Sequence, residues 1–174
     1  MEKTEAVSFR LEKKILEKLR KEAKSKDSSL NSLVSQIFSM HVEWYAGAQK
    51  AGFVPLPKVL VTKIMEKLSQ DEIKSISEYI AKNEIKNMVL MLGREENVES
   101  IIEGFEFWLK TTNFVYKYDS YDEVRKFVII HDMGKNWSFY LGYVMKLIFE
   151  QLDAKTEFES HPKILVITVM IDKK

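Results

Sequence analysis

Along residues 6–11 the side chains alternate. Val7, Phe9 and Leu11 share one side of an extended segment and Ala6, Ser8 and Arg10 share the other, the period of two that marks a half-buried strand. From residue 12 the period changes. Ile15, Leu16, Leu19 and Ala23 recur at helical spacing to about residue 26, while Lys13, Lys14, Lys18, Arg20, Lys21 and Lys24 fall mostly outside that stripe. Lys26, Asp27, Ser28 and Ser29 interrupt it with residues that favour turns and caps, and Ser29 is placed to cap the next helix. That second, longer helix, from residue 30 to about residue 44 or beyond, is marked by Leu33, Val34, Ile37, Phe38, His41, Val42 and Tyr45. The next strand-like run begins only near residue 114. The backbone groups of residues 6–11 must therefore pair elsewhere, most simply with the same strand of a second copy.

Residues 46–58 hold two glycines with Pro55 and Pro57 and break the helical pattern, so a semi-rigid connector is expected there, with Phe53, Val54 and Leu56 packed against something. Helical patterning then resumes. Val61, Ile64, Met65 and Leu68 mark one helix, and residues 69–72 open another that continues through Ile73, Ile76, Tyr79 and Ile80. Ile85, Met88, Val89 and Leu92 read as a helix ended by Gly93, although residues 88–92 are also short enough for a strand; residues 98–109 form one more helix. Residues 114–118 and 124–131 read as two strands joined by a loop of about four to six residues. A helix over 136–152 comes next, then strands at 156–159 and 163–171 around His161 and Pro162. Residues 164–171 are apolar on both faces apart from Thr168, which predicts a central strand or one covered on both sides. The fold class is α+β, ending in a small, mostly antiparallel sheet with a crossing helix.

Composition narrows the function classes. No cysteine is present, which excludes disulfides, thiolate metal sites and a cysteine nucleophile. No apolar run is long enough to span a bilayer and the N-terminus lacks the apolar core of a signal peptide, so a cytoplasmic protein without a membrane partner is expected. The net charge of +1 is unevenly divided: residues 1–50 carry ten Lys or Arg and seven Asp or Glu, +3, leaving −2 for the remainder. That asymmetry favours an anionic partner for the N-terminal part.

Strand, helix, polar turn and helix over roughly residues 4–46 resembles the ribbon-helix-helix family of DNA-binding repressors, to which MetJ and Arc belong. The segment VSFRL running into Glu12-Lys13-Lys14-Ile15-Leu16, and the helix start Ser29-Leu30-Asn31-Ser32-Leu33-Val34, carry the resemblance. It implies an intertwined homodimer, or a higher oligomer, in which two strands pair into an antiparallel ribbon that enters the major groove of double-stranded DNA. Ala6, Ser8 and Arg10 would face the bases; Val7, Phe9 and Leu11 would face the shared core. Arg10 can donate two hydrogen bonds to guanine, Ser8 can donate or accept, and Ala6 can pack on a thymine methyl, although Ala6 supplies no hydrogen bond where the family often has a polar residue. The first N–H groups of the second helix, near Ser29, Leu30, Asn31 and Ser32, would hold a backbone phosphate. The implied organisation is a DNA-binding domain at 1–46, a linker at 47–58 and an α+β domain at 59–174, with helices over 59–111 and a hairpin–helix–hairpin unit over 113–172. The whole chain is also similar to uncharacterised archaeal proteins that begin in this way and end like HDMGKNWSFYL. That likeness brings no ligand with it.

The stretch His131-Asp132-Met133-Gly134-Lys135-Asn136-Trp137-Ser138 lies where a strand gives way to a helix. A P-loop would need a second glycine where Ile129 stands and Ser or Thr where Asn136 stands, so a glycine turn capped by Asn136 or Asp132, with Trp137 in the core, is expected. His41, His131 and His161 have no mutual ligand spacing, so no metal site is expected. Ser138, His131 and Asp132 lack a strained nucleophile turn and oxyanion donors, so no catalytic site is expected. No cofactor is expected either. The sequence reading is a sequence-specific transcriptional regulator and not an enzyme; an antitoxin-like or architectural DNA binder with a protein partner at the C-terminal domain, or a metabolite-sensing C-terminal domain, stays open.

Overall fold

The computed structural model describes residues 5–112 and 114–171. Residues 1–4 of the expected first domain, and residues 113 and 172, which bound the expected hairpin–helix–hairpin unit, lie outside the described residues. The chain divides into two compact units, Met1–Val42 and Glu43–Lys174.

In the first unit, residues 5–12 carry no regular secondary structure, and none of the strands described pairs with them. A ladder needs a partner, and the described residues of one copy supply none for residues 6–11. Helix α1, Lys13–Ser25, starts where the Glu12 carbonyl accepts from the Ile15 and Leu16 N–H groups at 3.0 and 3.1 Å. It stops where Asp27 takes a left-handed conformation at φ 46° and the Ser28 N–H reaches back to the Ala23 carbonyl at 2.9 Å. Helix α2, Leu30–Met40, is capped as expected: the Ser29 hydroxyl accepts from the Ser32 N–H at 3.0 Å. A π-helical segment, His41–Tyr45, comes next in the chain.

The second unit takes up residues expected to form a linker. Helix α3, Ala46–Lys50, occupies the start of that stretch, Ala48 is buried, and Trp44 is buried with its ring edge-on to Phe53 at 5.2 Å. The unit boundary therefore falls at Val42 and Glu43, not at the glycine- and proline-rich residues, because Trp44, Ala48 and Phe53 have apolar surface to bury in this unit. Helices α4, Lys58–Met65, and α5, Gln70–Asn83, come next, the latter opened by a capping box in which Ser69 and Glu72 exchange hydrogen bonds. That exchange, first through the Ser69 N–H, holds the Glu72 carboxyl below its ordinary range. The ambiguous run at 88–92 is helical: α6 spans Ile85–Met91 and ends at Gly93, whose φ of 70° suits glycine. Helix α7 spans Val98–Thr111, with Asn97 as its cap.

Strands β1, Val115–Tyr121, and β2, Val124–Ile130, form a hairpin tighter than the expected loop, because Asp122 adopts φ 46° and lets Tyr121 pair directly with Val124. Helix α8, Gly134–Glu150, then leads to the hairpin of β3, Lys155–Ser160, and β4, Ile164–Met170. The sheet is antiparallel in the order β1-β2-β4-β3. Strand β4 is central, as its composition predicts, but only one of its faces is fully covered: Leu165, Ile167 and Val169 are each 0% exposed, whereas Val166, Thr168 and Met170 on the other face are half-buried. Phe105 from α7 meets Phe127 of β2 edge-on at 5.0 Å on the covered side. Helix α8 crosses the same side closely at Gly142, where an added Cβ would lie 2.4 Å from the Phe158 ring.

Candidate nucleic-acid interface

Ala6, Ser8 and Arg10 are all exposed. Val7, Phe9 and Leu11 are exposed as well, at 70, 61 and 49%, so a single chain covers neither side of the segment. The apolar side continues onto the helices of the same unit through Ile15, Ile37 and Phe38, and Phe9 and Phe38 meet edge-on at 5.4 Å. Among the described residues, Ala23 and Leu33 are the only ones this unit buries. A helix pair that buries two side chains and presents an apolar stripe to water has an unpartnered face.

The basic residues lie off that stripe. Lys13, Lys14, Lys18, Arg20, Lys21 and Lys24 are exposed along α1, and Lys26 pairs with Glu22 at 2.7 Å.

The start of α2 is more selective than its sequence suggests. Of its first four N–H groups, that of Leu33 is taken by the Ser29 carbonyl at 3.0 Å and that of Ser32 by the Ser29 hydroxyl at 3.0 Å. Leu30 and Asn31 supply the two N–H groups left at the positive end of the helix dipole. Ser29 thus organises the site, and Ser32 keeps only its hydroxyl for an outside partner.

The residues of the 131–138 stretch go to structural duties. Gly134 takes φ 83°, Trp137 is buried, and Ser138 donates to the Ile164 carbonyl at 3.3 Å. Neither expected cap is used: α8 begins after Met133 with no side-chain cap. The Asn136 amide instead donates to the Met65 and Leu68 carbonyls at 2.9 Å each, satisfying the end of α4, and its oxygen accepts from Gln70 at 3.1 Å. Asp132 is bonded to Lys58, which lowers its carboxyl below the ordinary range. His131 is buried against Trp137, ring centroids 4.6 Å apart, and its Nδ1 accepts the Met133 N–H at 3.2 Å. That bond puts the imidazole proton on Nε2, which is buried without a partner, and burial pushes the imidazole pKa down. Ser138 and His131 are thus each bonded to backbone, not to one another.

One residue with unusual surroundings escaped the sequence reading. Arg94, in the Gly93-Arg94-Glu95-Glu96 turn, looks like a solvated helix end, yet its side chain is 10% exposed and its Nε is buried without a partner. Nothing in the turn itself announces this, because the side chains that meet Arg94 come from other elements, Glu103 and Phe107 from α7 and Glu43 from the π-helical segment. No protein-family model matches the chain, and no curated protein is significantly similar to it.

Proposed function

We propose that the chain is a homodimeric, sequence-specific DNA-binding regulator in which residues 6–11 of two copies pair as an antiparallel ribbon and enter the major groove. The observation that carries this reading is the alternation of residues 6–11, whose apolar side chains Val7, Phe9 and Leu11 stand exposed beside a capped helix pair that has its own apolar stripe to cover. Pairing two copies joins those apolar sides into one core and satisfies the strand backbones. The opposite side then carries Ala6, Ser8 and Arg10 twice, related by two-fold symmetry.

Chemistry divides the labour. Arg10 is the residue able to read guanine O6 and N7 with two bonds, Ser8 adds one, and Ala6 offers contact to a thymine methyl. The N–H groups of Leu30 and Asn31 hold a phosphate and set the register of the ribbon without reading sequence. With so few base contacts, part of the specificity rests on DNA shape.

Selection of bound DNA from a random library tests the reading as a whole. A two-fold symmetric site is expected; recovery of no consensus would overturn sequence-specific binding. Arg10→Ala is expected to cost about 1–3 kcal/mol at one base position of each half-site and less on random DNA. Unchanged specific binding of that variant in a gel-shift titration at fixed salt would remove Arg10 from the groove.

A further inference from the structure

The sheet of the second unit has one face covered by helices and one on which Val115, Tyr121, Ile130 and Ile164 are 67, 53, 50 and 40% exposed. Alternation and register fix what the open face carries. Along its two central strands, residues opposite one another match in kind: Val128 pairs with Val166, Ile130 with Ile164 and Val124 with Met170, while Lys126 pairs with Thr168. Most of its charges lie at the margins. On the β1 edge Lys117 bonds Asp119 at 2.8 Å; on the β3 edge Lys155 lies 3.1 Å from Glu157, and Glu159 follows on the same face. With Lys126 these are three cations and three carboxylates, so the face has no net charge to repel a copy of itself.

This pattern is self-complementary under one operation. A two-fold axis parallel to the strands, between β2 and β4, lays β2 of one copy on β4 of the other and β1 on β3. Each β2 residue then meets, on the second copy, the residue type it already pairs with in its own sheet. Valine meets valine, isoleucine meets isoleucine, and Lys126 meets Thr168. The row Lys117, Val128, Val166, Glu159 sets Lys117 against Glu159 of the second copy, twice by symmetry. Asp119 and Glu157 form the like-charged pair that this brings together, and Lys126 lies beside both. A two-fold axis across the strands fits worse, because it lays Lys126 on Val128 and Glu157 on Glu159. Packed sheets cross at about 30°, so the match is closest at the centre, around Val128 and Val166. Four strands about 4.8 Å apart, rising about 3.4 Å per residue, make a face of roughly 450 Å² per copy, which suits a weak, reversible contact.

We infer that the open face of the sheet is a second self-association surface, on which another copy of this chain docks face to face about a two-fold axis parallel to the strands. It uses none of residues 6–11 and does not depend on the ribbon.

The test is sedimentation velocity on the full chain carrying Phe9→Ala, in which any ribbon contact is already weakened. Reversible dimers are expected at about 100 µM. Val166→Lys, on a central strand that edge-to-edge pairing does not reach, is expected to weaken them at least about tenfold. Lys117→Glu and Glu159→Lys, both at exposed positions, each set like charges together twice and are each expected to weaken association about tenfold. An equimolar mixture of those two variants restores opposite charges at both contacts and is expected to return to within about threefold of the unsubstituted face. The mixture decides the matter even if Val166→Lys does not fold. A monomer at that concentration, association that a folded Val166→Lys leaves unchanged, or a mixture no more associated than its components would each overturn the inference. If only the ribbon reading fails, Phe9→Ala associates as the parent chain does and the response to the sheet variants persists.

Discussion

Phe9 and Phe38 meet edge-on with ring centroids 5.4 Å apart, yet both rings remain about half exposed or more, at 61 and 47%. The contact joins the alternating segment to α2 without enclosing either ring. In the proposed dimer these rings belong to the shared core. Burying a phenylalanine contributes about 1.5–3 kcal/mol, and two-fold symmetry counts it twice. Phe9→Ala is accordingly expected to weaken dimerisation by at least about a hundredfold, measured by sedimentation equilibrium. A self-association constant that Phe9→Ala leaves unchanged, or a monomer at every accessible concentration in the parent chain, would count against the ribbon.

The proposed phosphate contact at the start of α2 allows a test by substitution of the backbone donor itself. Ser29 has an extended conformation, φ −74° and ψ 153°, which suits a residue before proline, and the first position of a helix tolerates proline. Leu30→Pro removes one of the two free N–H groups and leaves the Ser29 cap in place. A hydrogen bond to a charged group contributes about 1.5–3 kcal/mol, so DNA affinity is expected to fall by about tenfold or more, and equally for every sequence. A circular dichroism spectrum checks that α2 persists. A loss confined to the preferred site would show that Leu30 reads bases and not phosphate.

Asn136 is expected to act as a tertiary clasp. Its amide serves the Met65 and Leu68 carbonyls, tying α8 to the end of α4 across about seventy residues of sequence. Asn136→Ala leaves both carbonyls without this donor and should lower stability by about 1–3 kcal/mol in urea unfolding. Replacement of Lys135, exposed and one residue earlier in the chain, should change stability by less than about 0.5 kcal/mol.

His131 gives the second unit a pH dependence of defined sign. Its folded pKa is depressed, first by burial, below the 6.5 of an ordinary imidazole, so the unfolded chain binds the proton more readily. The stability that neutral His131 contributes is therefore complete above about pH 6.5 and is lost as the pH falls from there toward the depressed folded value. The melting temperature of the parent chain should drop between about pH 7 and about pH 5 by more than that of His131→Asn, which keeps a side-chain acceptor for the Met133 N–H. Equal slopes for the two proteins would mean that other groups dominate the acid response.

Much of this molecule was legible one segment at a time. The Ser29 cap announced itself because a cap is a bond between residues three apart, Ser29 with Ser32, and the opening of α5 at residues 69–72 was legible for the same short-range reason. Helix starts, the glycine stop at Gly93 and the two C-terminal hairpins arise from the same short-range preferences. The Asn136 expectation failed because a side chain able to cap its own helix found the Met65 carbonyl at the end of α4 and the Leu68 carbonyl of the turn after it within reach, and those cannot be seen from residue 136 alone. Glycine and proline report local backbone freedom, so residues 46–58 read as a connector with Phe53 packed against something; that its partner is Trp44 could not be read from them.

The sequence by itself determined the helical period of most segments, the cap at Ser29, and the alternation of residues 6–11 that sets Ala6, Ser8 and Arg10 opposite Val7, Phe9 and Leu11. These depend on neighbours within a few residues, whose geometry covalent structure nearly dictates. Only the tertiary structure decided that β4 lies between β2 and β3, that one face of the sheet stays half open, that the Ser32 N–H is spent inside the cap, and that Arg94 is enclosed with its Nε unpartnered. Most of those outcomes require surfaces distant in the chain to meet, and the free energy that selects them is the burial those meetings provide.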